Sequence, residues 1–255
     1  MQMLNVVIPM AGLGSRFANA RYSKPKPFID VLGKPMIIRV LENLLLENAN
    51  YILIAQEKHL LQEKAIVAEI KKQFNVNFIG INSLTQGTAC TILHAKEHIN
   101  TNAPLLIANS DQLVDIAIKD FIKDSQERNL DGSILTFIDT EKNPKWSFAK
   151  IENSLVKEVR EKEAISKYAT IGIYLFSKGS DFVNAAEAMI KNNDKVNNEF
   201  YTCPTYNYLI KNGAKVGIFN IDSTKMHGIG TPEDLEAYLH LKGYYKNNNL
   251  IKDNL

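Results

Sequence analysis

Four short apolar segments, separated by stretches with helical spacing, recur through the first half of the chain. The segments are residues 5–9, 51–55, 76–81 and 104–109. Helical patterns lie between them at residues 58–73 and 88–98, together with the stripe Met36, Ile37, Val40, Leu41, Leu44 and Leu45. Strands separated in this way are joined by right-handed crossovers, which place helices on both faces of a parallel sheet. The pattern predicts an α/β fold, a three-layer α/β/α sandwich with a Rossmann-like, mainly parallel sheet.

The pattern changes after Asp111, so the sheet is predicted to be mixed. Two alternating runs, residues 149–151 and 155–159, are almost contiguous, which is typical of antiparallel strands. Thr231 and Pro232 predict the start of a last helix, as its N-cap and first-turn residue. Further strands are predicted at residues 132–138, 169–176 and 215–221, and further helices at residues 118–128 and 181–191.

The chain is predicted to form one domain over residues 1–245, since neither an internal repeat nor a linker interrupts it. Residues 246–255 are rich in Asn and Lys and contain few apolar side chains. A segment of that composition buries too little surface to dock firmly, so we expect a flexible tail there.

Composition excludes several classes of function. A net charge of +2, without a block of Lys or Arg, argues against nucleic-acid or anionic-membrane partners. No apolar run approaches the roughly 18 residues of a membrane-spanning helix, and the N-terminus lacks a signal-peptide pattern. Cys90 and Cys203 have no motif around them and are expected to be free, buried thiols in a reducing compartment. A cytoplasmic protein is therefore predicted.

A glycine loop, residues 11–16, follows the first predicted strand. Gly12 and Gly14 allow its backbone to approach a ligand closely, and phosphate is a frequent ligand at such a position. A dinucleotide fingerprint would need a third glycine where the chain has Phe17, and Pro25 and Pro27 interrupt the crossover helix that it requires. The P-loop pattern is absent from the sequence. These observations argue against both motifs.

Two cations stand at the end of the glycine loop and in the segment after it. Arg16 ends it, and Lys26 stands between Pro25 and Pro27, which stiffen the backbone and position the ammonium group in advance. Backbone N–H groups of the loop can bind the β- and γ-phosphates of a triphosphate while both cations offset its charge. The alternative is a glycine turn beside a solvated basic loop.

Asp111 follows the fourth predicted strand. Ligands of open α/β sheets bind outside the carboxyl ends of the strands, where the glycine loop also lies. Mg²⁺ usually binds one or two carboxylates together with substrate phosphates and water. Asp111 is therefore the candidate ligand for Mg²⁺, the alternative being a cap of the next segment.

The stretch IPMAGLGSRF, followed by KPKPFIDVLGKPMI, resembles the signature of nucleotidyltransferases that activate sugar 1-phosphates. Similar segments follow in the family's order, so that the resemblance covers about residues 3–240. They are QGTA at 86–89, NSD at 109–111, WSFA at 146–149, EK at 161–162, ATIGIY at 169–174 and GIGTPED at 228–234. Six motifs in order are more specific than any one of them.

The resemblance implies transfer of a nucleoside monophosphate from a nucleoside triphosphate to a phosphorylated small molecule, with Mg²⁺ as cofactor and pyrophosphate as the other product. The acceptor is expected to be a sugar 1-phosphate, in surface-polysaccharide biosynthesis, and a homo-oligomer is compatible with the family. Residues 1–115 would bind the triphosphate and residues 116–245 the acceptor. The implied catalytic residues are Arg16, Lys26 and Asp111, Asp111 also binding the metal; the nucleotide-binding residues are Ala11, Gly12, Gly14, Ser15, Gln86, Gly87 and Thr88; the acceptor-binding residues are Glu161, Lys162 and Gly172.

The sequence departs from the family pattern at two positions. Members often have a second metal-binding aspartate where this chain has Gly228, beside His227, and no motif aligns Asp222 with that role. Ala149 stands where many members have glycine, which could alter the fit of the acceptor.

Three alternatives remain open at the level of sequence. A metal-dependent glycosyltransferase would carry Asp-x-Asp where this chain has Asn109, Ser110 and Asp111. A nucleotide-sensing module that has lost catalysis is compatible with Gly228. A cytidylyltransferase acting on a non-sugar metabolite would keep the chemistry and change the acceptor.

Overall fold

A central mixed sheet of nine strands organises residues 3–244, which are the residues that the computed structural model describes. The strands are β1 (Leu4–Pro9), β2 (Asp30–Val31), β3 (Lys34–Pro35), β4 (Ala49–Gln56), β5 (Val76–Ile81), β6 (Leu105–Ala108), β7 (Gln112–Val114), β8 (Gly132–Ile138), β9 (Ser147–Glu152), β10 (Leu155–Glu161), β11 (Tyr168–Phe176), β12 (Val216–Ile221) and β13 (Met226–Gly228). The α-helices are α1 (Ser15–Asn19), α2 (Met36–Asn43), α3 (Glu57–Gln62), α4 (Lys64–Gln73), α5 (Thr88–Leu93), α6 (Lys96–Ile99), α7 (Ile118–Glu127), α8 (Gly179–Lys191), α9 (Thr205–Lys211) and α10 (Pro232–Leu241). Two 3-10 helices span Lys26–Phe28 and Ser223–Lys225.

Strand directions confirm the mixed, mainly parallel sheet. β6, β1, β4 and β5 are neighbours and run parallel. β11 is antiparallel to β6, β8 and β9, and β12 is parallel to β8. Only β10 and β11 therefore oppose the common direction among the nine described strands of the sheet. β9 and β10 form the predicted antiparallel pair.

Each face of the sheet has its own hydrophobic core. Val6 and Ile8 of β1 belong to one cluster, which includes buried residues of α2 and α7. Val7, which points to the opposite face, belongs to a second cluster with buried residues of α5, α8 and α9. This period of two is that of a strand buried on both faces, as expected for a three-layer sandwich.

Three predicted helices differ from the structure. Residues 58–73 form two helices that meet at Glu63, and residues 88–98 form α5 and α6 because i→i−3 hydrogen bonds tighten the chain at His94 and Ala95. α2 stops at Asn43, so that Leu45 of the predicted apolar stripe is exposed. The hydroxyl of Tyr51 accepts from the backbone N–H of Leu46 and donates to the carbonyl of Leu44, which satisfies the groups that a longer helix would use.

A two-stranded ribbon lies outside the main sheet and was not predicted. β13 pairs antiparallel with β7, with Gly228 opposite Gln112 and His227 opposite Leu113. The imidazole Nε2 of the buried His227 lies 2.8 Å from Oδ2 of Asp115. This ribbon returns the 228–234 motif to the end of β6.

Four further predictions concern the two cysteines, membrane-spanning helices, the C-terminal tail and the division of the chain into two halves. Cys90 and Cys203 are free thiols; Cys203 is buried, whereas Cys90 is only partly so. In the part of the chain that the structure describes, no helix is long and apolar enough to cross a membrane. The predicted tail, residues 246–255, lies outside the described residues, and the division at residue 115 stays a prediction.

Candidate active site

A cleft of about 550 Å³ opens beyond the carboxyl ends of β1 and β6. The sequence-predicted residues that line it are Gly12, Gly14, Ser15, Arg16, Lys26, Thr88 and Asp111. Residues that sequence reasoning did not assign also line it, among them Asn109, Gln112, Lys145, Trp146, Gly230, Thr231 and Asp234. The predicted triphosphate residues and the predicted metal aspartate therefore share one cavity.

The glycine loop is anchored to β4 at Ala11 and is unobstructed at Gly12. Ala11 is buried, and its carbonyl accepts a 2.8 Å hydrogen bond from the side-chain amide of Gln56, at the end of β4. No atom lies within 4 Å of the place where a Cβ on Gly12 would be, so a ligand can approach the backbone there. Gly14 has φ +61°, and a Cβ on it would lie 3.0 Å from Cβ of Lys26, so the loop packs closely on the lysine segment. Glycine is required at position 14 for both reasons.

Lys26 is positioned by its local backbone. Pro25 is extended, Pro27 is buried, and the 3-10 helix that begins at Lys26 buries Phe28 completely. The ammonium Nζ donates a hydrogen bond to Oδ2 of Asp111. Sequence reasoning predicted both residues for the site, but not that they pair directly.

The segment after β13 packs against Asp111. The backbone carbonyl of Asp111 accepts from the N–H of Ile229 at 2.9 Å. A Cβ on Gly230 would lie 2.5 Å from Oδ2 of Asp111, so only glycine leaves room for the carboxylate in this position. The Gly-x-Gly-Thr-Pro motif is one of the segments that resemble the family. The contact with Asp111 explains why its second glycine, Gly230, has no side chain.

The helix that follows begins beside the cleft. The hydroxyl of Thr231 accepts from the N–H of Asp234 at 3.1 Å, which is the predicted N-cap of α10. Asp234 itself lines the cleft, whereas His227 does not. The hydrogen bond from His227 lowers the pKa of Asp115, and this pair fastens β13 to β7. His227 is therefore a structural residue of the ribbon.

Lys145 and Trp146 also line the cleft. They precede β9, and Nζ of Lys145 lies 4.6 Å from the centroid of the Trp146 ring. With Arg16 and Lys26, Lys145 makes a third cation lining the cleft. In the sequence, Lys145 was marked only by its position directly before the WSFA segment at residues 146–149.

The predicted base-contacting loop, residues 86–88, is clamped by a distant segment. The carbonyl of Gln86 accepts from the N–H of Phe200 at 2.7 Å, and the hydroxyl of Thr88 accepts from the N–H of Thr202 at 3.1 Å. Gly87 has φ +122°, and a Cβ there would collide with the backbone of Phe200. Thr88 lines the main cleft, whereas Gln86 and Gly87 do not.

The predicted acceptor residues lie outside the lining of this cleft. Glu161 accepts from the hydroxyl of Ser147, and burial raises the pKa of its carboxyl group. Lys162 has φ +58° and donates from Nζ to the hydroxyl of Tyr201 at 2.6 Å, a bond that raises the pKa of the ammonium group. Sequence reasoning missed Tyr201, which no motif marked.

Gly172 also lies outside the cleft lining, but it contacts Asn109, which is part of that lining. Its φ is +86°, and a Cβ there would overlap the side chain of Asn109, whose backbone N–H donates to the Gly172 carbonyl at 2.9 Å. Gly172 therefore positions Asn109, which lines the cleft.

The donor set of the cleft fits a hard divalent cation. Asp111 offers carboxylate oxygens, and the neighbouring Gln112 offers a buried amide oxygen that has no hydrogen-bond partner. Among residues 3–244, no group of three or more His, Cys, Asp or Glu is arranged to bind a metal. Such a site suits Mg²⁺, which takes few protein ligands and completes its shell with phosphate oxygens and water.

The chain resembles known proteins over most of its length. The model of the family described as nucleotidyl transferase matches residues 5–238. The catalytic subunit beta of mannose-1-phosphate guanylyltransferase from Drosophila melanogaster is 26% identical over 175 residues, which is 67% of this chain and 47% of that protein. The bifunctional protein GlmU of Methanococcus aeolicus is 26% identical over 178 residues, 68% of this chain and 40% of that protein. The chain spans about half the length of the curated relatives it matches.

Solved structures share the fold. A nucleoside-diphosphate-sugar pyrophosphorylase from Vibrio cholerae superposes with a TM-score of 0.80 at 24% identity, covering 92% of this chain and 99% of that chain. A UDP-glucose pyrophosphorylase complexed with UDP-glucose superposes with a TM-score of 0.75 at 18% identity, covering 96% and 100%. At these identities the likeness shows the fold alone, and it confirms the predicted architecture.

Proposed function

The chain belongs to the nucleotidyl transferase family, and we propose that it transfers a nucleoside monophosphate from a nucleoside triphosphate to a sugar 1-phosphate, releasing pyrophosphate. One observation carries this proposal. The glycine loop, Arg16, Lys26 and Asp111 converge on a single cleft at the carboxyl ends of β1 and β6. The activities named for the relatives, among them that of mannose-1-phosphate guanylyltransferase, support a sugar 1-phosphate as the acceptor.

The proposed reaction is an in-line displacement at the α-phosphorus. An oxygen of the acceptor phosphate forms the new bond to phosphorus, while the bond from phosphorus to the oxygen bridging the β-phosphate breaks. The electron pair of the broken bond leaves with pyrophosphate. Because the attacking oxygen is already anionic, no general base is required, and catalysis consists of positioning and charge stabilisation.

The triphosphate would lie along the glycine loop. The open backbone at Gly12, the loop at Gly14 and the hydroxyl of Ser15 would contact the β- and γ-phosphates. Arg16 would bind the departing pyrophosphate, and Lys26 would stabilise charge on the α-phosphate as the new bond forms. Ala11 would contribute indirectly, because its buried carbonyl anchors the loop to Gln56.

The base would contact the clamped loop of Gln86, Gly87 and Thr88, of which Thr88 reaches the cleft. Glu161 and Lys162 would bind the acceptor hydroxyls and phosphate from the neighbouring site beside Tyr201. Gly172 would act through Asn109. We extend the proposal to the division of the chain, with residues 1–115 binding the triphosphate and residues 116–245 the acceptor.

Asp111 would hold the Mg²⁺ ion in the cleft. A bound Mg²⁺ would offset negative charge on the phosphates during displacement. Asp111 also accepts the hydrogen bond from Lys26, so the proposed metal ligand and the cation proposed for the α-phosphate lie side by side. We further propose a cytoplasmic protein of surface-polysaccharide biosynthesis that can form homo-oligomers, in keeping with its family.

A pyrophosphate-release screen tests this function. Four or five nucleoside triphosphates would be paired with a panel of phosphorylated acceptors in the presence of Mg²⁺. We expect pyrophosphate to appear only with a matched pair, with a nucleotide-linked sugar formed in equal amount. Sugar transfer from a nucleotide-sugar without pyrophosphate would instead indicate a glycosyltransferase. Triphosphate binding with no product for any acceptor would indicate a sensing module, and product only with a non-sugar phosphate would correct the acceptor class.

A further inference from the structure

The side-chain amide of Gln112 is buried without a partner for its oxygen. Gln112 is 9% exposed and lines the cleft immediately after Asp111. Its Oε1 is one of three buried side-chain polar atoms without a hydrogen-bond partner in residues 3–244, and the other two belong to His59 and Ser133, outside the cleft lining. An unsatisfied buried acceptor costs about 1–3 kcal/mol, so its persistence points to a partner that arrives with the ligand.

The register of the ribbon places this amide over residue 228. Gln112 and Gly228 are directly paired across β7 and β13, so side chains at the two positions share one face. A Cβ on Gly228 would lie 3.9 Å from both Oε1 and Nε2 of Gln112. Because Gly228 has no side chain, the amide of Gln112 borders the space that a side chain at residue 228 would occupy.

A second oxygen donor borders the same space. Oδ2 of Asp234 also lies 3.9 Å from the Cβ position of Gly228, and Asp234 lines the cleft from the first turn of α10. Asp111 lies on the neighbouring side, against Gly230. Asp111, Asp234 and Gln112 line the same cleft, and together they offer two carboxylates and one amide oxygen, a donor set that suits a hard divalent cation.

We propose that the Oε1 atom of Gln112 binds the divalent cation of Asp111, with Asp234 beside it, and so replaces the oxygen ligand that Gly228 lacks. The proposal rests on the proposed function, which requires a cation at Asp111. It assigns this chain a cation site built from β7 and α10, in which residue 228 provides space and no ligand. A hydroxyl of the nucleotide or acceptor donating to Gln112 is the competing explanation of the unpartnered oxygen.

Titration of the full chain with Mn²⁺ tests the proposal without reference to turnover. Free Mn²⁺ would be measured by electron paramagnetic resonance for the wild type, Gln112→Leu and the control Gln126→Leu, whose side chain is exposed on α7. We expect Gln112→Leu to weaken Mn²⁺ binding at least about tenfold, as loss of a residue that ligates or orients at a metal site does. Gln126→Leu should bind as the wild type does. Unchanged affinity in Gln112→Leu, or a wild type that binds no Mn²⁺, overturns the proposal.

A second variant covers the case in which Gln112→Leu does not fold. Gln112→Glu keeps the length of the side chain and adds a negative charge, so Mn²⁺ should bind several-fold more tightly. Equal or weaker binding in this variant overturns the proposal, since a carboxylate at the position of a cation ligand should bind the cation more strongly than an amide does. Failure of the proposed function would be visible separately, as absence of pyrophosphate release from a wild type that still binds Mn²⁺.

Discussion

Lys26 donates a hydrogen bond from its ammonium group to the carboxylate of Asp111, 85 residues later in the chain. Each side chain is only about one-fifth exposed, and the pair joins the segment after β1 to the end of β6. A cation held by Asp111 would share this carboxylate with the ammonium group of Lys26. The pair therefore keeps both groups in position before substrate binds.

Lys26→Ala should lower turnover in the pyrophosphate-release assay by about 10²- to 10³-fold, because a positioned donor to the transition state is lost. Lys24→Ala is the matched control, since Lys24 is exposed in the same segment, and it should retain near-normal turnover. Asp111→Asn should lower turnover by a similar factor. Circular dichroism should show folded protein in all three variants. Near-normal turnover in Lys26→Ala would remove Lys26 from the catalytic residues.

Gly230→Ala should displace the carboxylate of Asp111, since the added Cβ would lie 2.5 Å from Oδ2 in the present arrangement. The backbone at Gly230 does not have a positive φ, so the effect should come from the contact alone. We expect weaker Mn²⁺ binding and lower turnover, with a thermal midpoint close to that of the wild type. If Gly230→Ala bound Mn²⁺ with the affinity of the wild type, the Asp111 carboxylate could move aside without weakening cation binding.

Gly87→Ala should raise KM for the nucleoside triphosphate and destabilise the fold. The substitution combines backbone strain at φ +122° with a collision against the backbone of Phe200. Gly213→Ala is the control for strain alone, because Gly213 has φ +86° with no atom within 4 Å of a Cβ. Strain of this kind costs on the order of 1–2 kcal/mol, and Gly87→Ala should exceed the control in urea denaturation. If Gly87→Ala and Gly213→Ala lost the same free energy of unfolding, the loop around Gly87 could move away from Phe200 at no cost.

Gly228→Asp should restore a carboxylate to the face shared with Gln112. A Cβ at this position has ordinary contacts of 3.9 Å, so the variant should fold. We expect tighter Mn²⁺ binding than in the wild type, and the double variant with Gln112→Leu should regain most of the affinity lost in the single variant. No gain in either background would indicate that residue 228 does not face the cation.

Asp115→Asn should make stability less dependent on acid pH. The hydrogen bond from His227 lowers the pKa of Asp115 below its usual 3.8, so below that pH the unfolded chain binds more protons than the folded chain. Stability from this pair is present above the unfolded pKa and is lost as pH falls through the folded pKa. The Asp115 carboxylate is half exposed, so the effect should be under about 1 kcal/mol. Thermal midpoints of the two proteins should differ at pH 6, and the difference should shrink as the pH falls below 3.8; a constant difference would contradict the assignment.

Much of the main sheet was predictable because its signals are local. The bounds of β5 and β8 match the predicted ones, since buried strands bounded by turns are visible as short apolar runs. Gly14, Lys26 and Asp111 could be named as candidates for similar reasons, because a glycine loop after a strand, a lysine between prolines and a carboxylate after a strand are each visible in the local sequence. Helix ends were less predictable. The end of α2 depends on the hydroxyl of Tyr51, which comes from a neighbouring strand.

The sequence by itself determined the order of the nine strands of the main sheet, the glycine loop and the residue types that could bind a triphosphate. Only the tertiary structure decided which of these groups meet. β7 and β13 are three residues each and pair across more than a hundred residues, so no periodicity marks them. That pairing places Gly228 opposite Gln112, brings Gly230 against Asp111 and leaves the amide oxygen of Gln112 without a partner. Contacts between distant segments depend on how the whole chain packs, and the second side of the cation site is made of such contacts.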